Sequence, residues 1–181
     1  MIDDWVRNNK DLKFDKDGKY ANIGKVDDLI LNQAIENFEF KSYETSLDVK
    51  DFDTSFVKGL SFEDGCATLT KFTAYLIADG LRKINKQNDI NPHHYIICGG
   101  GRKNKSLMQS IENYLINKNI IIKDIDEYNF DGNFIESQAF AYLAIRSYLK
   151  LPISFPSTTR CKKAISGLSL IHISEPTRPT D

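Results

Sequence analysis

The alternation of apolar and polar positions divides most of the chain into helical segments separated by two short apolar runs. Apolar side chains recur every three or four positions over residues 61–84, which predicts a long helix with one buried face. Ser61 followed by two acidic residues favours the start of that helix there. Further helices are predicted over residues 1–9, 26–38 and 134–149.

Two short apolar runs, residues 95–98 and 120–122, predict buried strands. Helical spacing resumes near Lys105, directly after the first of them. The rest is predicted as turns over residues 14–18 and 131–133, loop over most of residues 39–60, and a polar connection over residues 85–92. Helices alternating with strands in this order predict an α/β fold.

A run of glycines between the first strand and the following helix is the strongest functional signal in the sequence. Gly99, Gly100 and Gly101 permit a sharp turn and leave the main-chain amides without covering side chains. The helix that follows would add partial positive charge at its N-terminus. A strand, a glycine turn and a helix in this order predict a place where a nucleotide approaches the main chain, although a structural turn that binds nothing has the same pattern.

Asn104 separates this turn from two known phosphate-binding motifs. A dinucleotide fingerprint and a Walker A loop both require glycine at that position, and residues 99–106 match the Walker A spacing elsewhere. Asn104 is better suited to cap the following helix. A degenerate P-loop module of a different fold therefore stays open as an alternative, as does a non-catalytic protein that docks partners through the helix over residues 61–84.

Asp131 and Glu136 are weaker candidates near the last predicted helix. Asn133 followed by Glu136 has the spacing of a capping box, which needs no ligand and is the favoured interpretation of Glu136. The functional interpretation brings Asp131 or Glu136 near bound magnesium or a sugar hydroxyl.

Composition and charge give no support to a nucleic-acid-binding, membrane or secreted protein. The chain has 181 residues, a length typical of one domain, with 41% hydrophobic and 27% charged residues. A net charge of −1 gives no electrostatic reason to expect nucleic acid or an anionic membrane as a partner. Acidic residues at the N-terminus are not those of a signal peptide, and no apolar run approaches the roughly 20 residues that span a bilayer.

The cysteines and histidines predict neither a disulfide framework nor a metal site. Cys66, Cys98 and Cys161 lie far apart, which fits a reducing cytoplasm, and Cys98 in the strand is predicted to be buried. His93 and His94 have no third ligand at a suitable spacing.

Several segments, in this order and spacing, resemble the C-terminal part of bacterial anhydro-N-acetylmuramic acid kinases. They are residues 1–6, 14–18 with 24–27, 97–104, 131–144 and 151–159. The glycine run alone would be unspecific, whereas the ordered set is specific.

This resemblance implies the C-terminal nucleotide-binding lobe of an actin-like (ribonuclease H-like, hexokinase-like) sugar kinase. By position, it implies nucleotide contacts for Gly99, Gly100, Gly101 and Asn104, and weaker active-site roles for Asp131 and Glu136. The implied reaction uses ATP and Mg2+ to cleave 1,6-anhydro-N-acetylmuramic acid and phosphorylate it at O6 in peptidoglycan recycling. The implied partners are ATP and this small-molecule amino sugar, and the resemblance allows a homodimer.

Departures from the family pattern predict a truncated lobe. The family's N-terminal phosphate-binding loop and its Asp-Thr-Gly-Pro-Gly-Asn segment, which is expected to carry the catalytic base, do not occur in these 181 residues. No catalytic residue is therefore assigned, and negligible turnover is expected of this chain alone. Residues 41–52 also depart from the family pattern. The lobe is expected over residues 1–167, followed by a non-native or disordered tail over residues 168–181, which resembles translated vector sequence.

Overall fold

The computed structural model describes residues 1–38, 51–85, 93–116 and 119–167 of the chain. The chain forms two compact units, Met1–Gly132 and Asn133–Asp181. Both contain helices and a two-stranded sheet, so the predicted mixed α/β class is confirmed at that level.

The first unit is organised around one long helix, which confirms the prediction for residues 61–84. Its helices and strands are α1 (Ile2–Asn9), α2 (Lys19–Ile23), α3 (Asp28–Asn37), α4 (Phe62–Asn85), β1 (His93–Ile97), α5 (Lys105–Leu115) and β2 (Ile120–Asp124). Ser61 caps α4 as predicted, since its hydroxyl accepts a hydrogen bond from the Asp64 amide at 3.1 Å. Of the connection predicted over residues 85–92, Asn85 ends α4 and the rest lies outside the described residues. The part of the predicted loop over residues 39–50 and the predicted tail over residues 168–181 also lie outside them.

Two groups of apolar side chains bury opposite halves of α4. At its first half, Cys66 and Leu69 of α4 pack with Trp5, Val6, Ala21 and Val57. At its second half, Ala74 and Ala78 of α4 pack with Leu107, Ile111 and Leu115. Each large apolar side chain buried in this way stabilises the fold by about 1.5–3 kcal/mol relative to its exposed state, so α4 is the element on which α1, α2 and α5 depend.

Close approach of α1 to α4 requires a glycine on the long helix. A Cβ atom added at Gly65 would lie 2.5 Å from the indole ring of Trp5. The indole N–H of Trp5 donates to the Phe62 carbonyl oxygen at 3.0 Å, which fixes the ring against the first turn of α4. The glycine in the helix is therefore explained by packing, although glycine is a poor helix former.

Strands β1 and β2 pair in parallel, from His93 opposite Ile120 to Ile97 opposite Asp124. Because the carboxyl ends of parallel strands lie at the same edge, the residues after Ile97 and those after Asp124 are neighbours. Helix α5 connects the two strands and packs on α4. The first strand ends at Ile97, and Cys98 is exposed, so the predicted burial of Cys98 was wrong. The predicted burial of the two strands was also wrong, because no residue of β1 or β2 is fully buried and Ile96 and Ile121 are exposed.

The second unit contains α6 (Ile135–Tyr148), β3 (Pro152–Ser154), α7 (Pro156–Thr159) and β4 (Ile165–Ser166), with β3 and β4 antiparallel. Helix α6 confirms the helix predicted over residues 134–149. The guanidinium of Arg146 donates from Nε to the Pro152 carbonyl oxygen at 2.8 Å and so ties the helix to β3.

The capping box predicted for Asn133 and Glu136 was wrong. The N-cap of α6 is Phe134, which makes no side-chain capping hydrogen bond. The reason is one of register, because the Gln138 amide donates to the Phe134 carbonyl oxygen at 2.8 Å and the helical ladder therefore starts at Phe134.

Among the described residues, no helix combines the length and the apolar character needed to cross a bilayer.

Candidate functional site

The glycine run forms a tight turn at the carboxyl end of β1. Gly99 has φ +84°, a conformation that residues with a side chain rarely adopt. Gly100–Lys103 then form a 3-10 turn, and Asn104 begins α5. The Gly99 amide donates to the Gly132 carbonyl oxygen at 3.2 Å, which attaches the start of the turn to the segment that follows β2.

The outer side of this turn is open. A Cβ atom added at Gly99 or Gly100 would have no neighbouring heavy atom within 4 Å, and one at Gly101 would be 3.8 Å from Leu107 Cδ2. All three glycines are exposed. A ligand can therefore approach the main chain here at a distance that any larger side chain would prevent.

Asn104 caps α5, as its sequence position predicts. Its Oδ1 atom accepts a hydrogen bond from the Leu107 amide at 2.9 Å, so the cap occupies the oxygen and not the Nδ2 donors. The turn that ends at Gly18 packs against this cap, since a Cβ atom at Gly18 would lie 3.0 Å from Asn104 Cγ and from Ser106 Cβ.

The turn at residues 15–18 is itself anchored by a buried carboxylate. Asp15 is only 4% exposed. Its two oxygens accept hydrogen bonds from the Tyr20 amide at 2.8 Å and the Ala21 amide at 2.9 Å, which satisfies the charge at the start of α2. These hydrogen bonds hold the shape of the turn at residues 15–18, whose Gly18 approaches Asn104 at the start of α5.

Arg102 lies beneath the glycine turn, and its side chain is only 2% exposed. Its Nη1 atom donates to the Gly99 carbonyl oxygen at 3.0 Å. Its Nε atom donates to Asp124 at 3.1 Å, and Nη2 donates to both carboxylate oxygens of Asp126 at 2.7 and 3.0 Å. The guanidinium therefore joins the turn after β1 to the segment after β2.

Asp126 connects this guanidinium to Gly132. Its Oδ1 atom accepts a hydrogen bond from the Gly132 amide at 2.8 Å. The hydrogen bond from Arg102, followed by the one from Gly132, lowers the pKa of the Asp126 carboxyl below its usual value. The same carboxylate raises the pKa of the Arg102 guanidinium, so the ion pair is fully charged at neutral pH.

Gly132 is the residue that leaves room for the buried guanidinium. A Cβ atom at Gly132 would lie 2.7 Å from Cζ and from Nε of Arg102, and 2.7 Å from Ile125 Cγ2. The predicted turn at residues 131–133 therefore has a packing role in addition to reversing the chain.

The structure brings some of the sequence-predicted site residues together. Gly99, Gly100, Gly101 and Asn104 form one continuous turn. Asp131 is exposed in the first unit, next to the glycine whose carbonyl oxygen holds the Gly99 amide. Glu136 is exposed in the first turn of α6, in the second unit.

Sequence reasoning missed the network formed by Arg102, Asp124, Asp126 and Gly132. The acidic residues Asp124 and Asp126 lie two and four positions beyond the second predicted strand, and they become a signal only once that strand is known to pair in parallel with the strand that ends in the glycine turn. In the part of the chain that the structure describes, no group of three or more His, Cys, Asp or Glu side chains is arranged to hold a metal ion.

A family model and the individual relatives that match this chain all carry the same family name. The anhydro-N-acetylmuramic acid kinase family matches residues 1–172. The chain is 53% identical over 173 residues to the anhydro-N-acetylmuramic acid kinase of Pelagibacter ubique, covering 94% of this chain and 46% of that protein. The proteins of the same name from Rhodospirillum rubrum and Zymomonas mobilis are 33% and 36% identical, each covering 92% of this chain and 43% and 44% of their own length.

The chain thus spans about half the length of the curated relatives it matches, and the similarity extends over nearly all of its own length. It belongs to the anhydro-N-acetylmuramic acid kinase family.

Proposed function

We propose that this chain supplies the nucleotide-binding part of an ATP-dependent kinase acting on 1,6-anhydro-N-acetylmuramic acid. Membership of the anhydro-N-acetylmuramic acid kinase family is the observation that carries the proposal. In the proposed reaction, water adds at C1 and loses a proton as the bond between C1 and O6 breaks, O6 takes the γ-phosphoryl group of ATP, and ADP leaves. This chemistry serves peptidoglycan recycling in the cytoplasm.

The proposed nucleotide contacts are Gly99, Gly100, Gly101 and Asn104, in an actin-like kinase lobe. Two features support this assignment. The outer side of the turn is open at Gly99 and Gly100, so a purine nucleotide has room to approach the main chain. The turn also leads directly into α5, whose N-terminus carries partial positive charge.

Asp131 and Glu136 are proposed, each separately, as weaker substrate or active-site candidates. Both are exposed and therefore accessible to substrate. Mg2+ typically enters kinase sites bound to the nucleotide phosphates, with few protein ligands, and we assign it no ligand in this chain. We also assign no catalytic base, and negligible sugar phosphorylation is expected from these 181 residues alone.

Nucleotide binding is tested by titrating the chain with ATP and Mg2+ in a calorimeter. Gly100→Val is the informative variant, because a Cβ atom at this position meets no heavy atom within 4 Å and the added side chain therefore starts in open space. We expect it to weaken ATP binding by about tenfold or more, the effect of placing a bulky group against a close contact.

Lys105→Ala is the matched control, since this exposed lysine lies at the start of α5 in the same segment. It should bind ATP nearly as well as the wild-type chain, whereas a P-loop would lose phosphate binding without its lysine. Family membership gives no support to the P-loop or the helix-docking alternative. Equal ATP affinity in Gly100→Val and the wild-type chain would contradict the proposed contact.

A further inference from the structure

We infer that Arg102 is a positioning residue that directs the Gly100 amide toward the nucleotide without touching the nucleotide itself. This inference rests on the nucleotide-binding function proposed for the glycine turn. It adds a residue that lies beneath the turn, on the side away from the open space.

The first step is the attachment of the two peptide groups on either side of Gly99. The carbonyl oxygen of Gly99 accepts a hydrogen bond from Arg102 Nη1 at 3.0 Å, and the same residue's amide donates to the Gly132 carbonyl oxygen at 3.2 Å. Gly99 has φ +84° and no side chain to restrict it. The hydrogen bond from Arg102 holds the peptide group between Gly99 and Gly100, and the one to Gly132 holds the preceding peptide group. Loss of the Arg102 contact would therefore remove a restraint on the Gly99–Gly100 peptide, at a glycine whose backbone is otherwise permissive.

The second step follows from peptide planarity. In a trans peptide, the C=O and N–H bonds point in opposite directions. The Gly99 carbonyl points toward the buried guanidinium of Arg102, so the Gly100 N–H must point away from it. A Cβ atom at Gly100 would meet no heavy atom within 4 Å, so there is open space beside this residue for a ligand.

The third step is the fixed position of the guanidinium. Asp126 binds Nη2 through both carboxylate oxygens, Asp124 binds Nε, and both acids come from the segment at and after the end of β2. A planar guanidinium held by three groups in different directions has one orientation. Lysine carries a single ammonium group and cannot hold Gly99, Asp124 and Asp126 in the same geometry.

The test combines a spectroscopic measurement with nucleotide titration on the full 181-residue chain. The amide signals of Gly99, Gly100 and Gly101 are recorded by ¹H–¹⁵N NMR without nucleotide, and ATP affinity is then measured by calorimetry. Arg102→Lys should move the Gly100 signal and weaken ATP binding by about tenfold, the effect of losing one charge-assisted hydrogen bond.

Arg82→Lys is the matched control. Arg82 also pairs with an aspartate, Asp79 at 3.4 Å, but it lies on α4. This variant should leave the Gly100 signal and ATP affinity unchanged. If Arg102→Lys does not fold, Asp126→Asn replaces it, since that change removes the charge that orients the guanidinium and is expected to have the same two effects in smaller measure.

The outcomes separate the inference from the function on which it rests. A wild-type chain that binds no ATP would overturn the proposed function, and the Gly100 signal would still decide whether Arg102 orients the turn. An unchanged Gly100 signal in the folded Arg102→Lys variant would overturn the inference. A moved signal with unchanged ATP affinity would also overturn it, because the orientation would then serve stability alone.

Discussion

Asn104 has a structural role that accounts for its presence without any ligand, and a proposed role in nucleotide binding. The two roles use different atoms. The cap of α5 uses Oδ1, which accepts from the Leu107 amide at 2.9 Å. A nucleotide contact would use the Nδ2 donors. Substitutions that keep an oxygen at this position and remove the amide nitrogen therefore separate the two roles.

Asn104→Ala should destabilise the chain by about 1 kcal/mol through loss of the N-cap, whereas Asn104→Ser should retain most of the stability. Both variants should bind ATP more weakly if Nδ2 contacts the nucleotide. Urea denaturation measures the first effect and calorimetric titration the second. Wild-type ATP affinity in Asn104→Ser would show that the residue is only a cap.

The cysteines differ strongly in their surroundings. Burial, with smaller contributions from the charges of Asp15 and Glu63, raises the pKa of the Cys66 thiol to about 12. Cys98 is exposed at the end of β1. Since only the thiolate reacts with alkylating reagents, the buried and protonated Cys66 should be inert in the native chain.

Iodoacetamide at about pH 8 should therefore modify Cys98 first and Cys66 only after unfolding in denaturant, because a thiol of such high pKa is almost fully protonated. Peptide mapping by mass spectrometry measures the order. Rapid native labelling of Cys66 would contradict its burial.

At the scale of elements, hydrophobic spacing predicted α1, α3, α4, α6, β1 and β2 to within a few residues. Hydrophobic spacing failed at the ends of two elements, where a shift of one residue changes the role of a side chain. Cys98 was assigned to a buried strand that ends at Ile97, and Asn133 was assigned as a cap for a helix that begins from Phe134. Periodicity locates an element, whereas its ends depend on hydrogen bonds that periodicity does not contain.

Gly65 on α4 gives a test of element packing. Gly65→Ala should destabilise the chain by about 1–3 kcal/mol, because the added methyl group would meet the ring of Trp5 and push α1 away from α4. Helix propensity alone predicts the opposite, a gain of about 1 kcal/mol. The sign of the change in the free energy of unfolding thus distinguishes the two effects.

The matched control is Gly100→Ala, where the methyl group meets open space and no change of more than about 0.5 kcal/mol is expected. A more stable Gly65→Ala variant would show that α1 does not pack as closely on α4 as described.

At the scale of the whole molecule, the continuous part of the candidate site was predictable, and the part assembled from distant segments was not. Gly99–Gly101 and Asn104 are adjacent in sequence, so composition and spacing suffice to find them. Arg102 meets Asp124 and Asp126, which lie 22 and 24 positions further along the chain. That contact depends on the parallel pairing of β1 with β2, which no local pattern specifies.

Several carboxyl groups make the stability of the whole chain dependent on pH in the acidic range. The pKa of Asp126 is lowered by Arg102, that of Asp64 by the Lys25 amide and then Ser61, and that of Asp4 by Arg7. A carboxyl whose pKa is lowered in the folded state stabilises that state at any pH above its pKa in the unfolded state, which is near 3.8. This contribution is lost as the pH falls through the lower, folded pKa.

Urea midpoints should therefore change little between about pH 7 and pH 5 and fall below about pH 4. Asp126→Asn should be less stable than the wild-type chain at neutral pH and should lose less on acidification. A urea midpoint that holds steady or rises down to about pH 3 would contradict the carboxylate contacts described.

The space that Gly132 leaves for Arg102 has an evolutionary consequence. Any side chain at position 132 would collide with the guanidinium of Arg102 and with Ile125 Cγ2, each 2.7 Å away, so position 132 cannot change unless both neighbours change with it. Family members with alanine or serine at position 132 are therefore expected to carry smaller residues at positions 102 and 125. Covariation of the three columns across the family would record this steric dependence, and transplanting the loop into another protein would require moving the three residues together.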